Sequence, residues 1–204
     1  MLGQQMVTRS LDHPLGTRCL TFLERLETQR PSQFKVLTYH QIENSAGFEQ
    51  QMRYLAAAYQ VISMPELLTA CRTGSRLPAR AILITFDDAY RNFARRAWPI
   101  LKRYRLPATL FVPTAFPDDP DQFFWWDWLQ QALSRTARRD ELNLPWGEAS
   151  LATAAEREQL FKRLRRYVKT LPHEEALAFV AEICRKLDVP RPKNSVLDWS
   201  SLRQ

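Results

Sequence analysis

Short β-rich runs alternate with helical segments between residues 34 and 112, and this alternation constrains the fold more than any other feature of the sequence. The runs are Phe34–Tyr39, Gln60–Met64, Ala81–Phe86 and Ala108–Val112. Apolar residues at helical spacing, as in "FEQQMRYLAAAY", fill the intervals. Strands that alternate with helices build βαβ units around a parallel sheet. The sequence therefore predicts an α/β fold over this part of the chain.

The pattern changes after Thr114, where helical signals replace the alternation. The segment "TAAEREQLFKRLRRYVKTL" is a clear example, because Thr153 and Glu156 form a capping box ahead of an apolar stripe with helical spacing. A second helical segment follows it. We expect these helices to form an insertion at about residues 117–192, between strands of the sheet.

The remaining segments set the expected domain bounds. Residues 1–33 are predicted to form an irregular lead-in with one helical stretch, Arg18–Gln29, and the main domain is predicted to span residues 34–204. The final segment, "NSVLDWSSLRQ", has the features of a loop that enters a very short helix, and helices of that length are marginal without support. We therefore expect this chain to stop within a fold rather than at its boundary.

Charge and cysteine content limit the possible partners. The net charge of +7 and the sequence pI of about 9.6 favour acidic partners, but the basic residues are scattered among acids. The densest basic run, Phe161–Lys169, lies on the amphipathic helix, so a solvated face is the better interpretation and no nucleic-acid partner is predicted. The three cysteines are far apart and odd in number, which argues against a disulfide framework or a zinc knuckle.

Targeting signals are not visible in the sequence. The first residues lack the apolar core of a signal peptide, and no segment has the length and apolar character of a membrane span. We therefore expect no transmembrane segment and a cytoplasmic location.

Two adjacent carboxylates, Asp87 and Asp88, directly follow the most apolar segment, "AILITF". The carboxyl ends of parallel strands meet at one edge of a sheet, so His40 and Thr114, which follow two other strands, are expected nearby. One carboxylate could ligate a divalent cation while its neighbour accepts a proton from metal-activated water. The alternative is a strand–helix junction at which an aspartate caps the next helix. His40 is likewise either a metal ligand or a hydrogen-bonded scaffold residue.

An aromatic run, "FFWWDWL", follows the fourth predicted strand. Its residues Trp125, Trp126 and Trp128 could stack on the flat face of a ligand, or they could pack the insertion onto the rest of the fold. Because the run follows a strand, we expect it near the edge of the sheet at which the candidate site residues lie, and both alternatives stay open. Asp127 is a further candidate for a contact with substrate.

Three segments taken together are more specific than any single feature: "VLTYHQI", "GFEQQMRYLAAAYQVISMPELL" and "ILITFDDAYRNFARRAWPILKRYRLPATLFVPT". In order and spacing they resemble the polysaccharide deacetylase family, the NodB-homology group of carbohydrate esterases. The segments "FFWWDWL" and "VLDWSSLRQ" are also similar to parts of its members. The resemblance extends over residues 34–204, with a variable insertion inside it.

This resemblance implies a partial, irregular (β/α) barrel and hydrolysis of the N-acetyl amide, or of an O-acetyl ester, on an acetylated polysaccharide or oligosaccharide. By position in the TFDD motif, Asp87 would be the general base and Asp88 a ligand of a divalent metal, with zinc as the expected ion. That chemistry agrees with what the residues themselves predict, because a bound metal lowers the pKa of water and a base then removes its proton. Further candidates are a second ligand, His40, and five substrate contacts: Tyr39, Thr114, Trp125, Trp126 and Asp127.

One departure from the family is serious. Its members take two further metal ligands from an HxxxH motif, and this sequence contains none, its histidines being His13, His40 and His173. A (β/α) barrel typically needs about 250 residues, and only a few strands are predicted here. The sequence therefore predicts the N-terminal portion of a deacetylase. The alternative is an inactive truncated fragment that binds a glycan or a partner.

Overall fold

The computed structural model describes residues 34–119 and 121–203, so the predicted lead-in and its helical stretch at Arg18–Gln29 lie outside the described residues. The chain forms two units. Of the described residues, the first unit contains 34–118 and 196–203, and the second contains 119 and 121–195. Each unit has its own cluster of buried apolar side chains, so each is stabilised by a separate core.

The first unit is built on a parallel sheet with one central strand, β3. The strands are β1 (Lys35–Tyr39), β2 (Gln60–Ile62), β3 (Ala81–Phe86) and β4 (Thr109–Leu110). β1 pairs along one side of β3, while β2 pairs with the start of the other side and β4 with its end. The prediction of an α/β fold with parallel strands is confirmed. No closed sheet is present among residues 34–119 and 121–203, and the barrel stays a prediction.

The sequence of β3 explains its central place. All of its side chains are buried, as is typical of a strand covered on both faces. Thr85 is its polar residue, and the Thr85 hydroxyl lies within hydrogen-bond distance of the Thr38 hydroxyl (3.0 Å) and the Leu37 carbonyl (3.3 Å) of β1. Because this buried polar group is satisfied, the strand can be enclosed without a desolvation penalty.

The helix α1 (Ser45–Ala58) joins β1 to β2 and covers the sheet. Asn44 caps its start, because the Asn44 side chain accepts a hydrogen bond from the Gly47 N–H at 3.0 Å. The predicted apolar stripe faces the core, where three side chains of α1 are buried: Phe48, Met52 and Leu55. The helical spacing read from the sequence is therefore confirmed.

The helix α2 (Met64–Thr73) follows β2 and has clear signals at both ends. Ser63 and Glu66 form a capping box at its start. Gly74 ends the helix in the left-handed conformation, with a φ of 69°, which glycine adopts without steric cost. In the sequence, the segment "PELLTACRTG" predicts a short helix that stops at this glycine, and the stop is confirmed.

The helical segment after β3 contains one wide turn. The sequence predicts a helix that is interrupted or restarted at Pro99. The structure agrees with a restart, because a π turn, Phe93–Ala97, leads into α3 (Trp98–Tyr104), which has Pro99 in its first turn. Proline lacks an N–H donor, and its ring clashes with the preceding turn of an ordinary α-helix. The π turn, in which the Trp98 N–H donates to the Phe93 carbonyl, accommodates the proline without ending the helix.

The second unit consists of three helices and one hairpin: α4 (Trp125–Arg135), β5 (Glu141–Leu144), β6 (Gly147–Ser150), α5 (Ala154–Val168) and α6 (His173–Lys186). The hairpin corrects the expectation of a loop over "NLPWGEAS". Its strands pair from Glu141 with Ser150 to Leu144 with Gly147, across a two-residue turn. Leu142 is the one deeply buried side chain of the hairpin, at 1% exposure. Apolar and polar residues therefore alternate too little along these strands for the sequence to predict them.

The helix α5 follows its sequence signals closely. The capping box of Thr153 and Glu156 is confirmed. Its buried side chains belong to the predicted stripe: Leu160, Phe161, Leu164 and Val168. Basic side chains on its other face are exposed: Lys162, Arg163, Arg165 and Arg166. Throughout residues 34–119 and 121–203, no helix has both the length and the apolar character needed to cross a lipid bilayer.

Candidate functional site

Both predicted catalytic aspartates lie where β3 ends, at the carboxyl edge of the sheet. The hydrogen-bonded ladder between β1 and β3 extends one residue beyond Phe86, because the Asp87 N–H donates to the Tyr39 carbonyl at 2.8 Å. On the other side, the Phe111 N–H donates to the Phe86 carbonyl at 2.8 Å. The backbone that carries Asp87 is therefore fixed by the sheet, and a side chain on such a scaffold can hold a defined position.

The turn that carries the second aspartate is left-handed at two consecutive residues. Asp88 has a φ of 67° and Ala89 a φ of 46°. Aspartate visits this conformation more easily than other residues do, whereas for a residue such as alanine it costs about 1–2 kcal/mol. Ala89 is fully buried, so its methyl group is packed despite this strain. Such strained turns cluster at functional sites, and this one sets the direction of Asp88.

His40 lies against both carboxylates. The His40 Nε2 is 3.9 Å from the Asp87 Oδ2 and 3.9 Å from the Asp88 Oδ2. The three side chains are between 23% and 37% exposed, so the cluster is partly open to water. An imidazole beside two carboxylates can carry a proton or bind a cation together with them. The structure thus brings together three of the four residues that the strand ends suggested: His40, Asp87 and Asp88.

The cluster meets part of what a divalent metal requires. Imidazole nitrogen and carboxylate oxygen are donor types that zinc binds, and donors at about 2.1 Å from a tetrahedral zinc lie about 3.4 Å from one another. The 3.9 Å separations here are somewhat longer. Among the residues that the structure describes, no group of three or more His, Cys, Asp and Glu side chains could hold a metal ion. The donors therefore fit in type, but their spacing does not form a metal-binding group of three.

The segment that begins at Val196 returns to the acidic turn. The Leu197 N–H donates to the Ala89 carbonyl at 2.8 Å, and Tyr90 forms an antiparallel bridge with Val196. A short helix, α7 (Trp199–Leu202), follows. The sequence predicts a loop that enters a helix here. It does not indicate that this segment binds the backbone of Ala89, the residue after Asp88.

Asp198 is a further aspartate of the first unit, and it caps α7. Its Oδ1 accepts hydrogen bonds from the Ser200 hydroxyl at 2.7 Å and from the Ser201 N–H at 2.8 Å. These hydrogen bonds lower the pKa of Asp198 to about 2. A carboxylate held ionised in this way at a helix start has a capping role, and we do not assign it to the site.

Two predicted substrate contacts, Tyr39 and Thr114, differ in their surroundings. Tyr39 is 2% exposed, with its ring against Phe48 and Phe86. The Tyr39 hydroxyl donates to the Gln51 Oε1 at 3.0 Å. These are the contacts of a core residue, and they favour a packing role over the predicted contact with substrate. Thr114 is exposed in the turn after β4, and its role stays a prediction.

The other predicted substrate contacts belong to the second unit. Trp126 stacks on Phe124 with ring centroids 4.5 Å apart and meets Trp125 edge to face at 5.4 Å. The Asp127 Oδ2 accepts a hydrogen bond from the Ser195 hydroxyl at 3.3 Å. Because the two tryptophans and the aspartate are all partly exposed, packing and contact with a glycan both stay open for them.

Asn92, which the sequence did not single out, joins two parts of the first unit. Its side chain accepts a hydrogen bond from the Ile42 N–H at 2.8 Å and donates one to the Ile42 carbonyl at 3.1 Å. Arg96 Nη1 also donates to the Ile42 carbonyl, at 2.9 Å. The segment after β1 is thereby bound to the helix after β3. No local pattern could reveal a contact between residues 50 positions apart.

Fold and site together define a class of protein. A parallel α/β sheet with two carboxylates and an imidazole at its carboxyl edge is typical of α/β proteins that bind ligands at that edge. Residues 74–141, which include β3, both aspartates and β4, match the family described as polysaccharide deacetylase. This part of the chain is similar to the polysaccharide deacetylase family, and the resemblance seen in the sequence is confirmed.

Curated relatives are similar over part of their length. A poly-beta-1,6-N-acetyl-D-glucosamine N-deacetylase of Escherichia coli is 29% identical over 99 residues, which are 43% of this chain and 15% of that protein. One of Staphylococcus aureus is 35% identical over 72 residues, 35% of this chain and 24% of that protein. A putative polysaccharide deacetylase of Bacillus subtilis, YxkH, is 30% identical over 95 residues, 43% of this chain and 34% of that protein.

Two solved structures are also similar to parts of this chain. A Streptococcus pyogenes deacetylase in complex with acetate is 27% identical, with 44% of this chain and 46% of that chain covered and a TM-score of 0.40. A de-N-acetylase from Aggregatibacter actinomycetemcomitans is 17% identical, with 78% and 76% covered and a TM-score of 0.40.

Proposed function

We propose that this chain is part of a hydrolase that removes acetyl groups from a polysaccharide. The observation that carries the proposal is the acidic turn, Asp87–Asp88, which lies within the family match and meets His40 at the carboxyl edge of the sheet. The relatives from Escherichia coli and Staphylococcus aureus are named N-deacetylases of poly-beta-1,6-N-acetyl-D-glucosamine. Their names support an N-acetyl amide as the bond cleaved, with an O-acetyl ester as the alternative.

In this proposal the two aspartates have different roles. Asp87 is the general base, because its backbone is fixed by the sheet and its side chain is open to water. Asp88 is a ligand of a divalent metal, for which we propose zinc, and His40 is the second donor. When bound, the metal would polarise the acetyl carbonyl and lower the pKa of water. Asp87 accepts the proton of the attacking water, a step that contributes about 10²–10⁴-fold to the rate.

The proposal also requires groups beyond those of the cluster. The described part of the chain holds no group of three metal-ligating side chains, and the sequence has no HxxxH motif. This chain covers 15% of the Escherichia coli relative and 34% of the Bacillus subtilis relative. We therefore propose that it is a portion of a longer deacetylase, which would supply the other ligands and the further strands of an irregular barrel.

Acetate release tests the function directly. The complete protein that contains this chain is incubated with zinc and an oligomer of β-1,6-linked N-acetylglucosamine, because the proposed metal site needs the further ligands. We expect Asp87→Asn to lower the rate by at least about 100-fold, since it removes the base. The control Asp121→Asn, which changes an exposed aspartate, should keep the wild-type rate. If the wild-type protein releases no acetate, the proposed hydrolysis is ruled out. If Asp87→Asn is fully active, Asp87 is not the base.

A second candidate function is glycan binding without hydrolysis. The incomplete set of metal donors among residues 34–119 and 121–203 favours it. In that case calorimetry would show binding of the oligomer, acetate would not appear, and Asp87→Asn would leave the affinity unchanged. The same oligomer thus separates a hydrolase from a binding fragment.

A further inference from the structure

The Asn92 side chain binds both the backbone N–H and the backbone carbonyl of Ile42, near the acidic cluster. The Asn92 Oδ1 accepts from the Ile42 N–H at 2.8 Å, and the Asn92 Nδ2 donates to the Ile42 carbonyl at 3.1 Å. Arg96 Nη1 adds donor contacts to the carbonyls of Ile42, at 2.9 Å, and Glu43, at 2.8 Å. We call these contacts of Asn92 and Arg96 with Ile42 and Glu43 the loop clamp.

The chemistry of the loop clamp explains why residue 92 is an asparagine. Pairing with a backbone N–H and a backbone carbonyl at once requires one acceptor and one donor, which a side-chain amide supplies. An ionised aspartate has no donor, leucine has neither group, and glutamine is one methylene longer. Ile42 is only 5% exposed, so water cannot readily replace the bonds if the amide is lost.

The position of the loop clamp links it to the acidic cluster. Ile42 is two residues after His40, and Asn92 is four residues after Asp88. On the other side of His40, the Tyr39 carbonyl accepts the hydrogen bond of the Asp87 N–H at 2.8 Å. His40 is therefore fixed at both flanks to the segment that carries the aspartates. Without the clamp, the flank of His40 that leads to Ile42 would lose these bonds, while the sheet would still hold the flank at Tyr39.

We propose that Asn92 is a positioning residue that holds the His40 imidazole against Asp87 and Asp88 through the backbone of Ile42. The separation of 3.9 Å from His40 Nε2 to each carboxylate is the geometry that it maintains. The consequence for metal binding rests on the proposed function. The consequence for the His40 side chain does not.

Nuclear magnetic resonance of the histidine side chains tests the positioning. In the full chain with isotope-labelled histidine, His40→Ala assigns the His40 imidazole signals. We expect Asn92→Ala to shift and broaden these signals at neutral pH. The control Asn143→Ala, which removes an exposed amide from β5, should leave them in place. His40 signals that are the same in Asn92→Ala and in the wild-type protein would overturn the proposal.

A double-mutant cycle separates positioning from general destabilisation. Substitutions behind a metal ligand weaken metal binding by about 10–100-fold, and we expect this loss of zinc affinity for Asn92→Ala. In protein that carries His40→Ala, Asn92→Ala should have no further effect on zinc affinity, because the imidazole that Asn92 positions has been removed. A merely structural role would weaken zinc binding equally in both backgrounds, and that result would contradict the proposal.

Failure of the proposed metal site and failure of the proposed positioning role give different results. If the wild-type chain does not bind zinc, the proposed metal site fails, while the histidine signals still decide whether Asn92 positions His40. If Asn92→Ala does not fold, Arg96→Ala takes its place, because the Arg96 side chain is exposed and supplies only part of the loop clamp. We expect Arg96→Ala to shift the His40 signals in the same direction by a smaller amount, and unchanged signals would again overturn the proposal.

Discussion

The two units of the chain treat their charged residues in different ways. In the first, Asp87, Asp88 and His40 are gathered at one edge of a sheet and stay partly exposed. In the second, ion pairs lie on the helix surface, as between Arg185 and Glu182 at 2.9 Å, and the arginine lowers the pKa of the glutamate. Exposed pairs of this kind contribute little to stability. The difference teaches that convergence of charges, rather than their number, marks a candidate site.

The cores of the two units also differ, in their content of aromatic side chains. The first core includes stacked aromatic rings directly beneath the acidic edge, with Phe86 and Tyr39 centroids 5.2 Å apart. The second core is mostly aliphatic, with Leu129, Leu133 and Leu164 at or below 2% exposure. Packing in the first unit therefore supports the strand ends that carry the acidic cluster, while packing in the second holds helices together.

Removal of an aromatic ring from the first core should have the largest effect. Phe86 is fully buried and lies against the rings of Tyr39, Phe48 and Phe93. We expect Phe86→Ala to lower the free energy of unfolding by about 3–5 kcal/mol, through lost burial and the cavity left behind. Urea denaturation measures it. A loss below about 1 kcal/mol would show that the first core does not depend on this strand.

The matching change in the second core is Leu164→Ala. Leu164 is fully buried, and the two cores share no side chain. We expect a loss of about 2–5 kcal/mol in the unfolding of the second unit. Burial raises the pKa of the Cys184 thiol to about 12, so alkylation of Cys184, followed by mass spectrometry, reports opening of this unit. Faster labelling together with unchanged His40 signals would support independent cores, whereas a parallel change in both would contradict them.

Helix caps allow a comparison at smaller scale. Thr153 caps α5 in the second unit, and Asn44 caps α1 in the first. Replacement of either by alanine should lower the free energy of unfolding by about 1 kcal/mol, because one helix N–H loses its acceptor. Chemical denaturation of both variants gives the difference. Equal losses would mean that caps act locally in both units; a much larger loss for Asn44→Ala would mean that the segment after β1 also depends on it.

The smallest effect concerns acid stability at the α7 cap. The pKa of Asp198 is lowered from 3.8 to about 2, so the stability contributed by its ionised form is complete above about pH 4 and is lost as the pH falls towards 2. We expect Asp198→Asn to reduce the steepness of this acid limb, measured by urea midpoints from pH 5 to about 2. The control Asp121→Asn should keep the wild-type slope. An unchanged slope for Asp198→Asn would argue against this cap.

The sheet and the acidic edge could be predicted from local signals. The run Ala81–Phe86 forms β3 with the same bounds, because a short apolar segment between turn residues has few other solutions. Parallel pairing then places the ends of β1 and β3 together, which brings His40 to the aspartates. β4 is shorter than the predicted Ala108–Val112, because only the last two residues of β3 pair with it.

Other features could not be predicted, because they depend on contacts between distant residues. The hydrogen bonds of Asn92 to Ile42 join backbone and side chain across 50 positions. The bridge between Tyr90 and Val196 is of the same kind. The roles of the site residues, the cytoplasmic location and the absence of a nucleic-acid partner stay predictions.

The π turn at Phe93–Ala97 has a consequence for the tolerance of this chain to changes in length. A helix advances by about 100° per residue, so one residue more or less rotates every later side chain around the axis by that amount. The π turn fits five residues where an α turn has four, so it absorbs one residue without rotating Ile100 and Leu101, which are buried after it. Deletion of one residue from this turn would convert it to an ordinary α turn and leave both side chains directed at the core, whereas the same deletion at the start of α3 would rotate them away.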